Sequence, residues 1–258
     1  MITSNRQQQI LELLREYKHV DVSTLCNMLQ VSPSSVRRDL DTLERQGILL
    51  RTYGGAVLNE PQNEEAYIDQ ENDPYEDEKA AVAALAVNLV EDGDSVFLGG
   101  GDICVKLARQ LRLRSGVNVV TNNIQAFLEL STNANAHVIL IGGQSTPHTD
   151  VPETSGGIAI SQLSTMFFDK VFYSVDGVSF QHGYSVASLD RLVILQHVTN
   201  CTNCRILLAD TSKFDHSNLH FLARLNAVDK VVTYIGIPDK FKEFYLQNKI
   251  PLYEACME

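Results

Sequence analysis

The chain has 258 residues, a net charge of −11 at pH 7, 44% hydrophobic residues and 21% charged residues, which is ordinary for a folded protein of one or two domains. No apolar run is long enough to span a bilayer, and five cysteines without a framework spacing argue against a disulfide scaffold. We therefore expect a cytoplasmic protein with no membrane partner, and the acidic balance argues against indiscriminate binding to nucleic acid.

The charge is distributed unevenly along the chain. Residues 1–58 carry a net charge of +1, whereas the remainder carries −12. Between the two parts, the stretch from Asn59 to Glu78 has nine acidic residues and no basic one, which is typical of a solvated linker. The sequence therefore predicts a small N-terminal domain at 1–58, an acidic linker at 59–74 and a larger domain at 75–258.

The N-terminal domain begins with three predicted helices, of which the second and third form a helix-turn-helix at about 20–39. Apolar residues recur at helical spacing in the first, and Ser23 is placed to cap the second. After a short turn, Ser32 is a good N-cap and Pro33 a good first residue for the third helix. That helix should stop at Gly47.

The third predicted helix has an apolar face and a polar face. At about 100° per residue, Val36, Leu40 and Leu43 share the buried face. Hydroxyl and guanidinium groups occupy the start, the opposite face and its flanks, at Ser32, Ser34, Ser35, Arg37, Arg38 and Arg45. Arginine can bond bidentately to guanine in the major groove, and serine can reach base edges or phosphate. We therefore predict double-stranded DNA as a partner; a merely solvated face, on which Asp41 would also lie, is the alternative.

Residues 48–58, "ILLRTYGGAVL", predict two short strands that form a wing beside this helix. Arg51, Tyr53, Gly54 and Gly55 are the residues that we expect to lie against a phosphate strand, because glycine lets the backbone approach closely.

The segment "SPSSVRRDLDTLERQGILLRTYGGAVL" resembles the winged helix-turn-helix of the DeoR family, bacterial repressors of sugar and nucleoside catabolism. The matching residues are Arg37, Arg38, Asp39, Leu40, Gly47, Arg51, Gly54, Gly55 and Ala56. Tyr53 departs from the pattern, because the family usually has histidine there. The resemblance implies a transcriptional repressor that binds an operator. Since one winged head would contact only one half-site, we also expect a homo-oligomer.

The larger domain alternates apolar runs with helical patterns. Seven runs are strand candidates, namely "SVFL", "VNVVT", "HVILIG", "KVFYSV", "RILLA", "KVVTYI" and "PLYEA". Alternation of this kind predicts an α/β domain with an open, mainly parallel sheet, whose ligand lies at the carboxyl ends of the strands. Polar and glycine positions cluster at those ends, and the candidate effector-binding residues are Gly100, Gly101, Asp102, Asn122, Asn123, Gly142, Gly143, Asp176 and Lys213.

This domain is also similar to the sugar-phosphate isomerase-like effector domain of DeoR regulators, through "VTNN", "LIGG", "DGVSFQHGYS" and "ADTSKF" in the same order. The resemblance implies that a small molecule, a phosphorylated sugar or a related metabolite, controls DNA binding. No cofactor, metal or catalytic residue is predicted. Where the family has a Glu-Ala pair and then a lysine, this chain has Arg191, Leu192 and Leu195. Related isomerases need a carboxylate base and a lysine, so we expect no enzyme.

The glycine loop departs from the family as well, because "GGGDI" replaces Asp-Ser-Gly-Thr-Thr. Glycine N–H groups at a helix N-terminus favour a phosphate, whereas the carboxylate of Asp102 would repel it. Two alternatives stay open. Asp102 caps the helix and the phosphate site is lost, which favours a neutral sugar or polyol or no effector. Alternatively, Asp102 turns aside, and Lys213 with Asn122 still holds the ligand. We favour the first.

Other classes of protein fit the sequence less well. A sugar-phosphate isomerase or kinase-like enzyme with an accessory DNA-binding head is the main rival, and a protein-interaction adaptor is a third class. The dinucleotide fingerprint fails because Cys104 stands where a glycine is required. His197, Cys201 and Cys204 could begin a metal site, but no second cysteine pair accompanies them.

Overall fold

The computed structural model separates into two compact units, Met1–Tyr67 and Ile68–Glu258. Tyr53, Gly47 and most of the acidic linker, 59–72, lie outside the residues that the structure describes. The described residues are 5–17, 19–45, 48–52, 54–58, 73–114, 116–132, 137–145 and 151–256. Within them, no helix combines the length and the apolar character that crossing a membrane requires.

The first unit is a winged helix-turn-helix. Its elements are α1 (Asn5–Tyr17), β1 (His19–Asp21), α2 (Val22–Leu29), α3 (Pro33–Arg45), β2 (Leu49–Thr52) and β3 (Gly55–Leu58). The three strands form an antiparallel sheet in the order β1-β3-β2, so the wing has one strand more than the sequence predicted. The expectation that Ser23 caps α2 is wrong, because the helix begins at Val22 and Asp21 is its N-cap residue.

One apolar cluster holds the first unit together. Val36, Leu40 and Leu43 are fully buried on one face of α3, as the helical spacing predicted, and they meet buried residues of α1, α2 and the sheet. The sequence did not predict the burial of Asp39, which is 7% exposed. Its Oδ2 accepts a hydrogen bond of 2.5 Å from Nε of Arg6. This ion pair links α1 to α3 and accounts for an acidic residue on the inner side of the helix.

The second unit is an α/β domain. It begins with α4 (Glu76–Ala86), a 3-10 turn (Val87–Leu89), β4 (Ser95–Leu98), α5 (Asp102–Leu111), β5 (Asn118–Thr121), α6 (Ile124–Ser131) and β6 (His137–Leu140). It continues with β7 (Gln144–Ser145), β8 (Thr154–Ser155), α7 (Gly156–Leu163), β9 (Lys170–Ser174), β10 (Gly177–Ser179), β11 (Gly183–Val186) and α8 (Leu189–Asn200). The remaining elements are β12 (Arg205–Ala209), a 3-10 turn (Thr211–Lys213), β13 (His220–Ala223), β14 (Lys230–Tyr234), α9 (Asp239–Gln247) and β15 (Leu252–Ala255).

The seven predicted strands form one parallel sheet in the order β15-β14-β12-β9-β4-β5-β6, which confirms the predicted architecture. Both faces are covered by buried side chains. Val96 and Leu98 of β4 lie in one apolar cluster with α4 and α5, whereas Phe97 lies in the other with residues of α7, α8 and α9. Successive side chains of this strand therefore point to opposite faces of the sheet and pack in two different apolar clusters.

The order of the strands contains a switch point. From β4 the chain continues outward through β5 and β6, and it then returns to place β9 on the other side of β4. In open α/β sheets, ligands bind in the crevice outside the carboxyl ends of the strands at such a point. The sequence did not predict the small antiparallel sheet β10-β11-β13 or the short pair β7-β8.

Candidate functional site

The N-terminal half of α3 carries most of the residues of that helix that the sequence predicted to bind DNA. Ser34, Arg37 and Arg38 are exposed there. The hydroxyl of Ser32 lies 3.0 Å from the hydroxyls of both Ser34 and Ser35, so three hydroxyl groups cluster at the start of the helix. Neither Arg37 nor Arg38 forms an ion pair with any residue that the structure describes. Both guanidinium groups are therefore available to base edges or phosphates.

The other two predicted arginines are engaged within the unit. Nε of Arg45 donates to the carbonyl oxygen of Asp41 at 3.1 Å, along its own helix. Nη1 of Arg51 lies 2.5 Å from Oδ1 of Asp41, and the backbone N–H of Arg51 donates to Glu44 at 3.3 Å. Asp41, which the sequence placed on the polar face, thus holds Arg51. A phosphate that binds Arg51 would have to compete with this carboxylate.

The wing glycines have structural causes. Gly54 adopts φ +96°, a backbone conformation that other residues rarely reach. A Cβ on Gly55 would lie 2.5 Å from the carbonyl oxygen of Val20, because β3 packs closely against β1. Tyr53, the residue before them, lies outside the described residues.

In the second unit, the predicted effector residues do lie at the carboxyl ends of the central strands. Gly100 and Gly101 follow β4, Asn122 and Asn123 follow β5, and Asp176 follows β9. These are the strands on the two sides of the switch point and the strand next to them. Side-chain contacts join the three loops into one polar site.

Arg191, in the first turn of α8, connects the two sides of the switch point. Its Nη2 donates to the carbonyl oxygens of Gly100 at 3.2 Å and Ser174 at 3.1 Å, and its Nη1 donates to Oδ1 of Asp176 at 3.0 Å. The sequence identified Arg191 only as a departure from a family pattern. The structure shows that this guanidinium spans the crevice.

Glu153 also belongs to this site, although the sequence analysis did not identify it. It immediately precedes β8, and its carboxylate packs against the glycine loop so closely that a Cβ on Gly100 would lie 1.8 Å from Oε1. Burial raises the pKa of Glu153, while Arg191, the Asn122 side chain and the Gly101 backbone amide act in the opposite direction. Nothing near Glu153 in the sequence signals this role, because the contact joins segments more than 50 residues apart.

Both asparagines are buried. Asn123 accepts a hydrogen bond at Oδ1 from the backbone of Ala126, which caps α6, and its Nδ2 donates to the carbonyl oxygen of Gly101 at 3.2 Å. Asn122 is 1% exposed, and its Nδ2 donates to the carbonyl oxygen of Thr154 at 3.0 Å. Its Oδ1 has no hydrogen-bond partner among the described residues, nor has Nε of Arg191.

Asp102 does not cap α5. Gly101 is the N-cap residue and no side chain makes a capping hydrogen bond, so the first of the two alternatives above is wrong about the cap. The carboxylate turns aside, and its Oδ2 lies 3.5 Å from Nζ of both Lys79 and Lys106. The second alternative expected Lys213 to hold the ligand. Nζ of Lys213 lies 3.9 Å from Oδ2 of the buried Asp210, so this ammonium group already faces a carboxylate of the chain.

The remaining predicted residues support the fold. The backbone N–H of Gly142 donates to Oε1 of Gln162 at 3.0 Å. A Cβ on Gly143 would lie 2.3 Å from the carbonyl oxygen of Ser155, so a glycine is needed where β7 pairs with β8. The structure therefore brings together the glycine loop, the two asparagines and Asp176, whereas Asp102 and Lys213 each form ion pairs with other residues.

Carboxylates of Asp73, Glu76 and Asp102 approach one another closely enough to hold a metal ion. However, Lys79 pairs with Asp73, and Nζ of Lys106 lies 2.5 Å from Oε1 of Glu76. The two ammonium groups supply the positive charge that this cluster needs.

Comparison with known proteins gives matches along most of the chain. The family model described as the DeoR C terminal sensor domain matches residues 75–234, and the DeoR-like helix-turn-helix domain matches residues 6–62. The chain is 31% identical over 249 residues to the lactose phosphotransferase system repressor of Lactococcus lactis subsp. lactis, covering 95% of this chain and 96% of that protein. It is 29% identical over 234 residues to the HTH-type transcriptional repressor GlcR of Bacillus subtilis, covering 90% and 89%.

Among solved structures, ribose 5-phosphate isomerase A from Methanocaldococcus jannaschii aligns with a TM-score of 0.40 at 22% identity, over 54% of this chain and 55% of that one.

Proposed function

Because the chain belongs to the DeoR family of transcriptional regulators, we propose that it is a sequence-specific DNA-binding repressor of an operon for sugar or related carbon metabolism, controlled by a small metabolite. The observation that carries the DNA-binding surface is the pair Arg37 and Arg38, exposed at the start of α3 and free of ion pairs within the described residues. The three hydroxyls beside them supply short-range donors and acceptors to the same groove.

The experiment measures binding of the full chain to the DNA that precedes its own gene, by fluorescence anisotropy with competitor DNA. Arg38→Ala should cost about 1–3 kcal/mol on the specific site and much less on competitor DNA, since a base contact carries the specificity. Arg109→Ala is the matched control, because Arg109 belongs to the second unit and pairs with Glu129 at its surface. If Arg37→Ala and Arg38→Ala both bind like the unaltered chain, the surface is assigned to the wrong face.

Arg51 requires a separate test because Asp41 holds it. If Arg51 contacts phosphate, Arg51→Ala weakens all DNA sequences alike and reduces the salt slope by about 1. Asp41→Ala should then strengthen binding, because it releases the guanidinium from its competitor. An Asp41→Ala variant with weaker binding would show that Arg51 acts only within the wing.

We propose that the second unit detects the metabolite at the switch point, with Gly100, Gly101, Asn122, Asn123 and Asp176 around it. Arg191 stands where related isomerases need a carboxylate base, and a guanidinium accepts no proton at neutral pH. We therefore expect ligand-dependent release of DNA and no turnover of pentose or hexose phosphates. Product formation in such an assay would favour the isomerase-like enzyme instead.

A homo-oligomer, assembled through the second unit, would place two heads on one operator. Phe180 and Phe221, exposed by 46% and 56%, line a groove of about 560 Å³ together with Phe244. Exposed aromatic side chains that lie next to one another are typical of protein–protein interfaces. Sedimentation of the full chain tests this: Phe221→Glu should shift an oligomer toward monomer, whereas Leu128→Glu, at the exposed face of α6, should not. A monomeric unaltered chain at micromolar concentration contradicts the proposal.

A further inference from the structure

The glycine loop after β4 has the features of an anion site, but a carboxylate of the chain itself already lies there. Gly100 and Gly101 precede α5, whose N-terminal backbone N–H groups favour negative charge. The carboxylate of Glu153 packs directly on Gly100 and interacts with the backbone amide of Gly101. Glu153 therefore occupies the place in which a ligand's anionic group would bind.

The charges around this carboxylate disfavour the binding of a second anion. Nε of Arg191 lies 4.0 Å from Oε1 of Glu153, and the same guanidinium is shared with Asp176. One positive charge thus faces two carboxylates. Asp102, the first residue of α5, forms ion pairs with Lys79 and Lys106. These two lysines also pair with Asp73 and Glu76, respectively. A phosphate brought to the loop would meet net negative charge in a largely buried site.

Two buried polar atoms point to the kind of group that does bind. Among the described residues, Oδ1 of Asn122 is an acceptor and Nε of Arg191 a donor for which no hydrogen-bond partner is found, although Glu153 lies 4.0 Å from the latter. The orientation of the Asn122 amide is fixed, because its Nδ2 donates to the carbonyl oxygen of Thr154. Both side chains also interact with Glu153. Buried polar groups are rarely left unsatisfied, so each indicates a missing partner.

An acceptor and a donor around one carboxylate match hydroxyl groups. A hydroxyl both donates and accepts, so it can donate to Asn122 or Glu153 while it accepts from Arg191. A phosphate dianion only accepts, so it satisfies Arg191 but leaves Asn122 unsatisfied and faces Glu153 directly.

We propose that Glu153 substitutes for the phosphate of a ligand, and that the switch-point site takes a neutral polyhydroxylated compound, a sugar or polyol with no phosphate at the glycine loop. The inference rests on the proposed function, since it names the class of metabolite that the sensor unit detects. It replaces the expectation that Asp102 excludes phosphate, because Asp102 turns aside and Glu153 fills the loop.

The first experiment uses sulfate as an anion probe, by titration calorimetry of the full chain at constant ionic strength. The unaltered chain should bind sulfate at least about tenfold more weakly than Glu153→Gln, which keeps the size of the side chain and removes its charge. Glu243→Gln, at an exposed position of α9, is the matched control and should behave like the unaltered chain. Glu153→Ala is a second test variant in case the glutamine folds poorly.

The second experiment compares neutral compounds with their phosphate esters: D-ribose with D-ribose 5-phosphate, D-glucose with D-glucose 6-phosphate, and D-glucitol with its 6-phosphate. At least one neutral compound should bind the unaltered chain about tenfold or more tightly than its ester, and Glu153→Gln should narrow that ratio. The proposal is overturned if sulfate binds the unaltered chain and both Glu153 variants alike, if an ester binds the unaltered chain more tightly than its neutral partner, or if no neutral compound binds. These readouts do not involve DNA, so they can fail while operator binding succeeds, and the reverse.

Discussion

Replacing Arg191 by alanine tests the architecture of the switch point directly. The side chain is 14% exposed and donates to two carbonyl oxygens and to Asp176 at 3.0 to 3.2 Å. Hydrogen bonds that involve a charged group contribute about 1.5–3 kcal/mol each, and relaxation with water entry recovers part of the loss. We therefore expect Arg191→Ala to lower the free energy of unfolding by about 3–5 kcal/mol, the range seen when one partner of a buried ion pair is removed.

Urea unfolding of the full chain, followed by tyrosine fluorescence, measures this change. The chain has nine tyrosines and no tryptophan, and most of the tyrosines lie in the second unit. Arg109→Ala is the control, because Arg109 is 53% exposed in its pair with Glu129 and should change stability by less than about 1 kcal/mol. Adding Glu153→Gln to Arg191→Ala should recover part of the loss, since a buried carboxylate no longer lacks its partner. An Arg191→Ala variant within about 1 kcal/mol of the unaltered chain would refute the bridging role.

Three further changes give separate tests. Gly55→Ala should destabilise the first unit by about 1–3 kcal/mol and weaken operator binding, because its Cβ would meet the Val20 carbonyl oxygen at 2.5 Å. Thermal unfolding of the variant and of the unaltered chain measures this, and an unchanged midpoint would contradict it. Tyr184→Phe should lower the free energy of unfolding, measured in urea, by about 1–2 kcal/mol, since the buried Tyr184 hydroxyl lies 3.0 Å from the hydroxyl of Tyr245. Burial also raises the pKa of Tyr245 to about 12. Burial raises the pKa of Glu153, so the contribution of this group to stability is present below the ordinary glutamate pKa and is lost as pH rises through the raised value. Glu153→Gln should abolish that part of the pH dependence of the free energy of unfolding. Parallel profiles of unfolding free energy against pH for the two proteins would show that Glu153 does not titrate in this way.

The architecture was predictable because it depends on local patterns. Each strand of the parallel sheet is a short apolar run, since both faces of the sheet are buried, and Val36, Leu40 and Leu43 showed the buried face of α3 through their spacing alone. The small sheet β10-β11-β13 was not predicted, because residues such as Gly177 and Gly183 interrupt any apolar alternation there. The start of α2 lies two residues before the predicted one, since Asp21 and not Ser23 is the N-cap residue, and helix ends are the least precise part of such predictions.

The candidate site was predictable in position but not in chemistry. Strand ends at a switch point place the glycine loop and the asparagines correctly, because topology alone determines which loops meet. The charges depend on contacts between distant segments. Glu153 reaches the loop from just before β8, and Arg191 reaches it from α8, so no local pattern shows that the two charges lie near each other. Asp102 faces two ammonium groups, of which Lys106 lies one turn further along α5 and was open to a local pattern, whereas Lys79 lies on a different helix and was not.

The carboxylate that fills the glycine loop belongs to a single side chain, that of Glu153, whereas the backbone of the same segment pairs with Asn122 and Asn123 whatever that side chain is. Glutamate and glutamine codons differ by one base. On the proposed account, a single nucleotide substitution at Glu153 would open the loop to phosphorylated compounds, while the strands, the glycine backbone and the operator-reading helix stay as they are. If the proposal holds, one mutational step at Glu153 would exchange one class of inducer for another while DNA binding is retained.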